Sequence, residues 1–211
     1  MPCSLAYVRL RSVIGLVLVG ALVVAGCATG GTGASAHVPR TGLTAADYYP
    51  LAEGWKWAYD LEKDGQKILA IYSVMERTTE GATILAGTEK ISYAVSPEGI
   101  AQMDSRGVGD FIIKNPLSKG ATWPVVGGTA RVVSTTDEIT VDAGHFYDCA
   151  VVEVTREDPP RLARTIFAPD VGPVSIEVQV QENGKFVVTT RALLRSATKP
   201  GDDPFGLGKA H

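Results

Sequence analysis

From residue 55 onward the chain is patterned in twos. Trp55, Trp57, Tyr59 and Leu61 are separated by Lys56, Ala58, Asp60 and Glu62. Period two is the strand signature, because successive side chains of a strand point to opposite faces. Asp64-Gly65 follows, a pair suited to two-residue hairpin turns in which both positions take positive φ. With Lys63 opposite Gln66, Leu61 faces Ile68, Tyr59 faces Ala70, Trp57 faces Tyr72 and Trp55 faces Val74. One apolar set lands on another, and a slip of one residue would destroy the match. A second hairpin is predicted downstream. Val174, Ile176, Val178 and Val180 alternate with Ser175, Glu177, Gln179 and Gln181, and Asn183-Gly184 makes the turn. Val180 then faces Val187, Val178 faces Thr189 and Val174 faces Leu193. Arg191 opposite Ile176 is the one mismatch, and it reads as a sheet end or a wet concave face.

Between the hairpins the pattern predicts shorter strands at 83–86, 90–96, 100–104, 110–114, 129–134, 138–141, 147–155 and 163–168. Pro97-Glu98-Gly99, Asn115-Pro116 and Asp158-Pro159-Pro160 punctuate them. No helical period persists over three turns after residue 26, although 45–51 has room for one short turn before Pro50. Many short strands with regular turns define an all-β, mainly antiparallel domain: a single curved sheet, half-barrel or barrel. One phrase occurs twice. PLAEGWKW, from Pro50, and PLSKGATW, from Pro116, share Pro-Leu-x-x-Gly-x-x-Trp. This reads as a repeated strand entry with Trp57 and Trp123 as core anchors. As a binding feature, Trp57, Trp123 and Tyr72 would be walls of one ligand groove.

The ends of the chain differ from this domain. Arg9 and Arg11 precede an unbroken apolar run from Val13 to Val24. The run is far shorter than the roughly 20 residues that cross a bilayer, so it reads as a secretory signal helix. Val24-Ala25-Gly26-Cys27 resembles the lipobox of bacterial lipoproteins. The resemblance implies cleavage between Gly26 and Cys27 and acylation of Cys27, palmitate-type chains included. Two or more acyl chains anchor stably without spanning the membrane. Ala28, in place of an aspartate that would signal inner-membrane retention, points to the inner leaflet of the outer membrane. The predicted organisation is a signal peptide over 1–26, a lipidated, Gly-rich flexible tether over 27–44, the β domain over 45–197 and a loose tail over 198–211.

Charge and cysteines narrow the classes. The chain carries a formal −3, and losing Arg9 and Arg11 with the leader makes it more negative by two. That argues against nucleic acid as a partner. Of three cysteines, Cys3 leaves with the leader and Cys27 is blocked by lipid, so Cys149 has no intrachain partner.

Three pieces resemble a broad group of bacterial envelope proteins, many of them lipoproteins. They are Tyr48-Tyr49-Pro50-Leu51-x-x-Gly54-x-x-Trp57-x-Tyr59, Thr140-Val141-Asp142-Ala143-Gly144-x-Phe146-x-x-Cys149, and Phe167-Ala168-Pro169-Asp170-Val171-Gly172-Pro173-Val174. The group carries Pro at the position of Asp142 and Gly at that of Asp170, which bears on turn geometry. The resemblance implies a β-rich lipoprotein domain and brings no catalytic residues. A looser fold-level likeness is to periplasmic half-barrels that carry lipids or lipoproteins.

Catalytic motifs are lacking: there is no P-loop, Gly-x-Ser-x-Gly elbow, His-Glu-x-x-His or Cys-x-x-Cys. With only His37, His145 and His211 in the chain, no histidine-rich metal site can be assembled. Asp104 and Asp110, around Ser105-Arg106-Gly107, lack the spacing of a calcium loop. His145 and Cys149 lie on one predicted strand, on the same face but about 13 Å apart, too far to share a proton or a metal. The expectation is therefore a protein without catalytic residues, metal or cofactor. It would be a non-catalytic binding or adaptor domain facing the periplasm, held to the membrane by acylated Cys27 and engaging an envelope protein or an apolar ligand. A lipid or lipoprotein carrier with an apolar half-barrel groove is the alternative, and an envelope hydrolase using acids or Cys149 is a third reading.

Overall fold

The computed structural model describes residues 37–202. The predicted leader, the predicted cleavage site at Gly26 and Cys27, and most of the predicted tether therefore lie outside the described residues. A single helical turn, α1 (Ala45–Tyr48), is followed by strands β1 (Lys56–Lys63), β2 (Gln66–Arg77), β3 (Gly81–Ala86), β4 (Glu89–Ser96), β5 (Gly99–Met103) and β6 (Gly109–Lys114). Then come β7 (Thr122–Val125), β8 (Gly128–Val141), β9 (Gly144–Glu157), β10 (Pro160–Ala168), β11 (Gly172–Glu182) and β12 (Lys185–Thr198). All twelve join one antiparallel sheet in the order β6-β5-β4-β3-β2-β1-β12-β11-β10-β9-β8-β7. Sequential strands are neighbours except β6 and β7, which are the two edges, and the first strand pairs with the last. The sheet curls until these edges nearly meet. Trp123 Nε1 on β7 donates to the Phe111 carbonyl on β6 at 2.8 Å, and the Val126 N–H donates to Asp110 Oδ1 at 2.9 Å. The domain is thus a nearly closed, barrel-like all-β fold, as expected.

The first hairpin has the predicted register: Trp57 pairs with Tyr72, Tyr59 with Ala70, and Leu61 with Ile68. Asp64 and Gly65 take φ of 50° and 76°, and Asn183 and Gly184 take 50° and 77°, as that turn class demands. The second hairpin departs from expectation past its tip. Val180 pairs with Val187, but the register shifts between Val178 and Gln179, so Val178 meets Thr190, Ile176 meets Ala192 and Ser175 meets Leu193. Thr189 is the extra, bulged residue. The bulge resolves the Arg191 mismatch: Arg191 pairs with Glu177 and bonds to it at 2.8 Å, while Ala192 and Leu194 turn inward and are buried. Two strands predicted at 129–134 and 138–141 form one long irregular strand, β8, and β7 was not predicted.

The repeated phrase is a repeated structure. Gly54 and Gly120 take φ of 88° and 90°. Their N–H groups donate to Val74 O at 3.0 Å and Val132 O at 2.8 Å. One residue on, Trp55 N bonds to Ala52 O and Ala121 N to Ser118 O, at 3.2 and 2.9 Å. Each copy opens a run of six strands, and the indole that follows, Trp57 or Trp123, is buried.

The barrel has two unlike ends. At one, the entering chain folds across the opening: Tyr48, Tyr49, Leu51 and Trp55 are buried against Trp57, Phe167 and Leu194. Asp170 N bonds to Asp47 O at 2.7 Å and Ala45 N to Asn115 Oδ1 at 2.9 Å, so loops from two sides of the barrel meet α1 here, and Ala143 N bonds to Leu194 O on β12 at 3.2 Å. At the other end the hairpins at Asp64-Gly65 and Asn183-Gly184 project, and Ile68, on the inward register beside Leu61, is 55% exposed. Residues 37–44, expected to end the tether, lie against the closed end, because a buried carboxylate, described below, holds them.

Candidate functional site

The lumen is built from the inward residues of the first hairpin and their neighbours. Trp57, Tyr59, Tyr72, Tyr93, Phe167 and Ile176 line a void of about 200 Å³. Trp57 Nε1 donates to Val171 O at 2.7 Å and Tyr59 Oη to Pro173 O at 2.8 Å, so the polar tips of both rings are spent on the backbone of β11 and the loop before it. Burial holds the Tyr49 and Tyr59 phenols well above their ordinary pKa and pushes Tyr93 up to about 12. These groups are neutral hydroxyls at any physiological pH. Of the three residues expected to share a groove, Trp57 and Tyr72 share this void as a cross-strand pair. Trp123 stands apart, buried at the seam with its indole on Phe111 O.

The outer face carries a pattern that only the register reveals. Lys67 on β2 pairs with Glu62 on β1, Glu62 with Arg191 on β12, and Arg191 with Glu177 on β11. Glu177 pairs in turn with Arg164 on β10, Arg164 with Glu153 on β9, and Glu153 with Arg131 on β8. Charge alternates at every step across these adjacent strands. Each opposite-charge neighbour is worth about 0.2–1 kcal/mol, and a one-residue slip of any inner strand of the belt breaks two of them. Facing hydrocarbon, each cationic member would cost roughly 2–4 kcal/mol near the midplane. A wall with this belt is built for water.

Beside the belt, the outer face of β2, β1 and β12 holds a groove of about 450 Å³. Leu69, Asp60 and Leu193 are register partners in one row, and both leucines are exposed, at 56% and 37%. Lys67, Glu62 and Arg191 form the next row, and Arg195 bonds to Asp60 at 2.9 Å. An apolar floor with charges of both signs at its rim was not anticipated from sequence. Alternation alone had marked Leu193 as inward, and the Thr189 bulge reverses it.

The sites that looked chemical in the sequence are separated or occupied. His145 and Cys149 do not share a face. His145 is exposed and lies 2.6 Å from Thr140 Oγ1 and 3.5 Å from Glu138, whereas Cys149 is fully buried. The expected regular alternation fails because Asp148, between them, adopts φ 53° and the ladder to β8 is irregular there. The turn is Asp142-Ala143, and Gly144 opens β9. Burial pushes the Cys149 thiol up to about 12, with Asp137 and Asp148 adding to it, so at neutral pH it carries no nucleophilic thiolate. The Asp104 carboxylate is filled by its own loop: it accepts from the Arg106 and Val108 N–H groups and pairs with the Arg106 guanidinium at 2.7 Å, which lowers its pKa.

Fold and surface together define a water-facing, meandering antiparallel barrel with a plugged end and an apolar groove on its flank. No family model matches the chain, and no curated protein matches it. Two solved structures are similar in shape. One is a protein from Bacteroides fragilis, described as exported and as having a YmcC-like fold, at 16% identity and a TM-score of 0.47, covering 72% of this chain and 98% of that one. Another, from Parabacteroides distasonis and described as a lipoprotein, has 15% identity and a TM-score of 0.46 over the same shares. Neither likeness is close enough to carry a function across.

Proposed function

We propose that this is a lipid-anchored protein of the cell envelope that docks another envelope protein without catalysing a reaction. In this reading the chain is cut between Gly26 and Cys27, Cys27 is acylated, and the barrel stands in the periplasm on the inner leaflet of the outer membrane. The observation that carries the docking reading is the flank groove. It encloses about 450 Å³, whereas the lumen, at about 200 Å³, falls below the roughly 300 Å³ at which pockets for small molecules begin. That comparison favours a docked partner over a carried lipid. The buried thiol of Cys149 and the tied-up Asp104 offer nothing to a hydrolase. The groove fits a partner that inserts an apolar side chain between Leu69 and Leu193 and meets the charged rim with polar groups.

The test is photo-crosslinking in cells from a reactive residue placed at Leu69, with the exposed Thr129 on β8 as the control site. The expected result is a discrete adduct from Leu69, none from Thr129, and loss of the adduct in Leu193→Glu at unchanged abundance. Equal adducts from both sites, or an adduct indifferent to Leu193→Glu, would overturn the groove as the docking surface. Stoichiometric lipid in native mass spectra of the unlipidated protein would move the function to the lumen and the carrier reading.

A further inference from the structure

Asp148 is the buried charged residue among the described residues, 5% exposed, on a strand otherwise filled with valine, alanine and cysteine at that depth. A buried carboxylate persists only where hydrogen bonds compensate its lost hydration. Those bonds come from the entering chain. Asp148 Oδ2 lies 2.8 Å from His37 Nε2 and accepts the Arg40 N–H at 2.9 Å. The His37 ring stacks on Tyr147 at 4.4 Å and 16°, and the Arg40 guanidinium pairs with Asp170 at 2.5 Å. Behind them Tyr48 Oη donates to the Asp148 carbonyl at 2.8 Å. A strand residue more than a hundred positions away is thus spent on holding the segment before α1.

We infer that residues 37–43 form a strap, clamped on Asp148, which makes the anchored barrel stand on the membrane by its closed end with the hairpin end turned away. The membrane half of this inference rests on the reading of Cys27 as acylated. Its geometry is a comparison of lengths. Ten residue steps separate Cys27 from His37 and reach at most about 36 Å. β12 has 14 residues, which at about 3.3 Å per residue and a tilt near 40° gives a barrel roughly 35 Å tall. To bring its hairpins to the bilayer, the barrel would have to lift His37 by its own height and use the whole reach. With the strap released the free length would begin at Thr44, seventeen steps from Cys27 and about 60 Å of reach, and either end could touch down. The clamp therefore decides whether the barrel has an orientation, and it keeps the flank groove clear of the lipid surface.

The test uses the full-length lipidated protein in phosphatidylethanolamine–phosphatidylglycerol vesicles that carry a headgroup quencher. A fluorophore is attached through Asp142→Cys at the closed end or Lys185→Cys at the hairpin end. Strong quenching at position 142 and weak quenching at 185 is expected, with the contrast reduced at least twofold in His37→Ala and in Asp148→Asn. Hydrogen exchange on the same samples reads the strap directly: the Arg40 amide should be protected and should exchange at least tenfold faster in His37→Ala. An unprotected Arg40 amide in the unaltered protein overturns the strap. Equal quenching at both positions, or a contrast that survives when the Arg40 amide is released, overturns the orientation. A chain without the acyl mass that fails to float with vesicles overturns the Cys27 reading and the membrane half with it, while Arg40 protection still decides the strap.

Discussion

Substituting the two repeated tryptophans by phenylalanine separates what a strand-entry indole does in the wall from what it does at the seam. A tryptophan buries roughly 150–250 Å² of side chain. At about 25 cal/mol per Å² the whole group is worth about 4–6 kcal/mol, and complete truncation would consume much of a stability of roughly 5–15 kcal/mol. Phenylalanine keeps most of that area and removes the indole N–H. In Trp57→Phe the carbonyl of Val171 loses its 2.7 Å donor beneath a fully buried ring, and in Trp123→Phe the carbonyl of Phe111 loses a 2.8 Å donor. A buried acceptor left unpaired costs about 1–3 kcal/mol. Each variant should therefore lose about 2 kcal/mol in urea unfolding, with an unchanged m-value and a Tm lower by roughly 4–8 °C. The two should differ in where the loss is felt. Trp57 ties β1 to the loop before β11 inside the ladder, so its loss should speed exchange globally. Trp123 bridges the unpaired edges, so Trp123→Phe should speed amide exchange in β6 and β7 before the rest of the sheet. A cost below about 0.5 kcal/mol for Trp57→Phe would refute the indole–carbonyl contribution, and uniform exchange in Trp123→Phe would refute its role in closing the seam.

Further expectations concern ionisation and the charge belt. The Cys149 thiol should resist maleimide at neutral pH in the native protein and react once urea unfolds it; fast native labelling would contradict its burial. Tyr48 and Tyr93 are both pushed up to about 12, chiefly by burial, against an ordinary phenol near 10. Because the folded values are the higher ones, their stabilisation is complete below about pH 10 and is lost as the pH climbs from there through 12. Part of the phenolate absorbance should therefore appear only in step with unfolding in that window, and complete titration of every phenol near pH 10 in a folded protein would contradict it. Arg191→Glu sets a carboxylate between Glu62 and Glu177 and should cost about 0.5–1 kcal/mol, modest because Arg191 is half exposed. The double exchange Glu177→Arg with Arg191→Glu should not restore stability, since it leaves like charges beside Glu62 and Arg164; full recovery would mean an isolated pair rather than a belt.

Much of the fold can be read from local pattern. Alternation from Trp55 to Leu61, the Asp64-Gly65 turn and the matching face of β2 determine the first hairpin, because register follows from turn chemistry and a period of two, both local properties of the chain. The Pro-Leu-x-x-Gly-x-x-Trp echo likewise marks two strand entries, since each needs a glycine at positive φ and an anchor a fixed step later. The strand at 138–141 and the missed β7 show where this fails: at bulges and edges, where neighbouring strands rather than the local sequence set the conformation.

What tertiary structure alone decided depends on residues far apart in the chain. The pairing of β1 with β12, and with it the closing of a curved sheet toward a barrel, brings together strands more than a hundred residues apart, and no local period encodes that. The Thr189 bulge turned Leu193 outward and built the groove; its only trace in the sequence was the misplaced Arg191. Asp148 reads in sequence as one more acid near a turn. Only the fold places it under the entering chain, where loss of water makes its carboxylate dependent on His37 and Arg40. Sequence by itself determined the two hairpins and most of the strands, because these are written in contiguous residues; burial and closure came from the assembled sheet, because they are properties of neighbours the chain brings together only when folded.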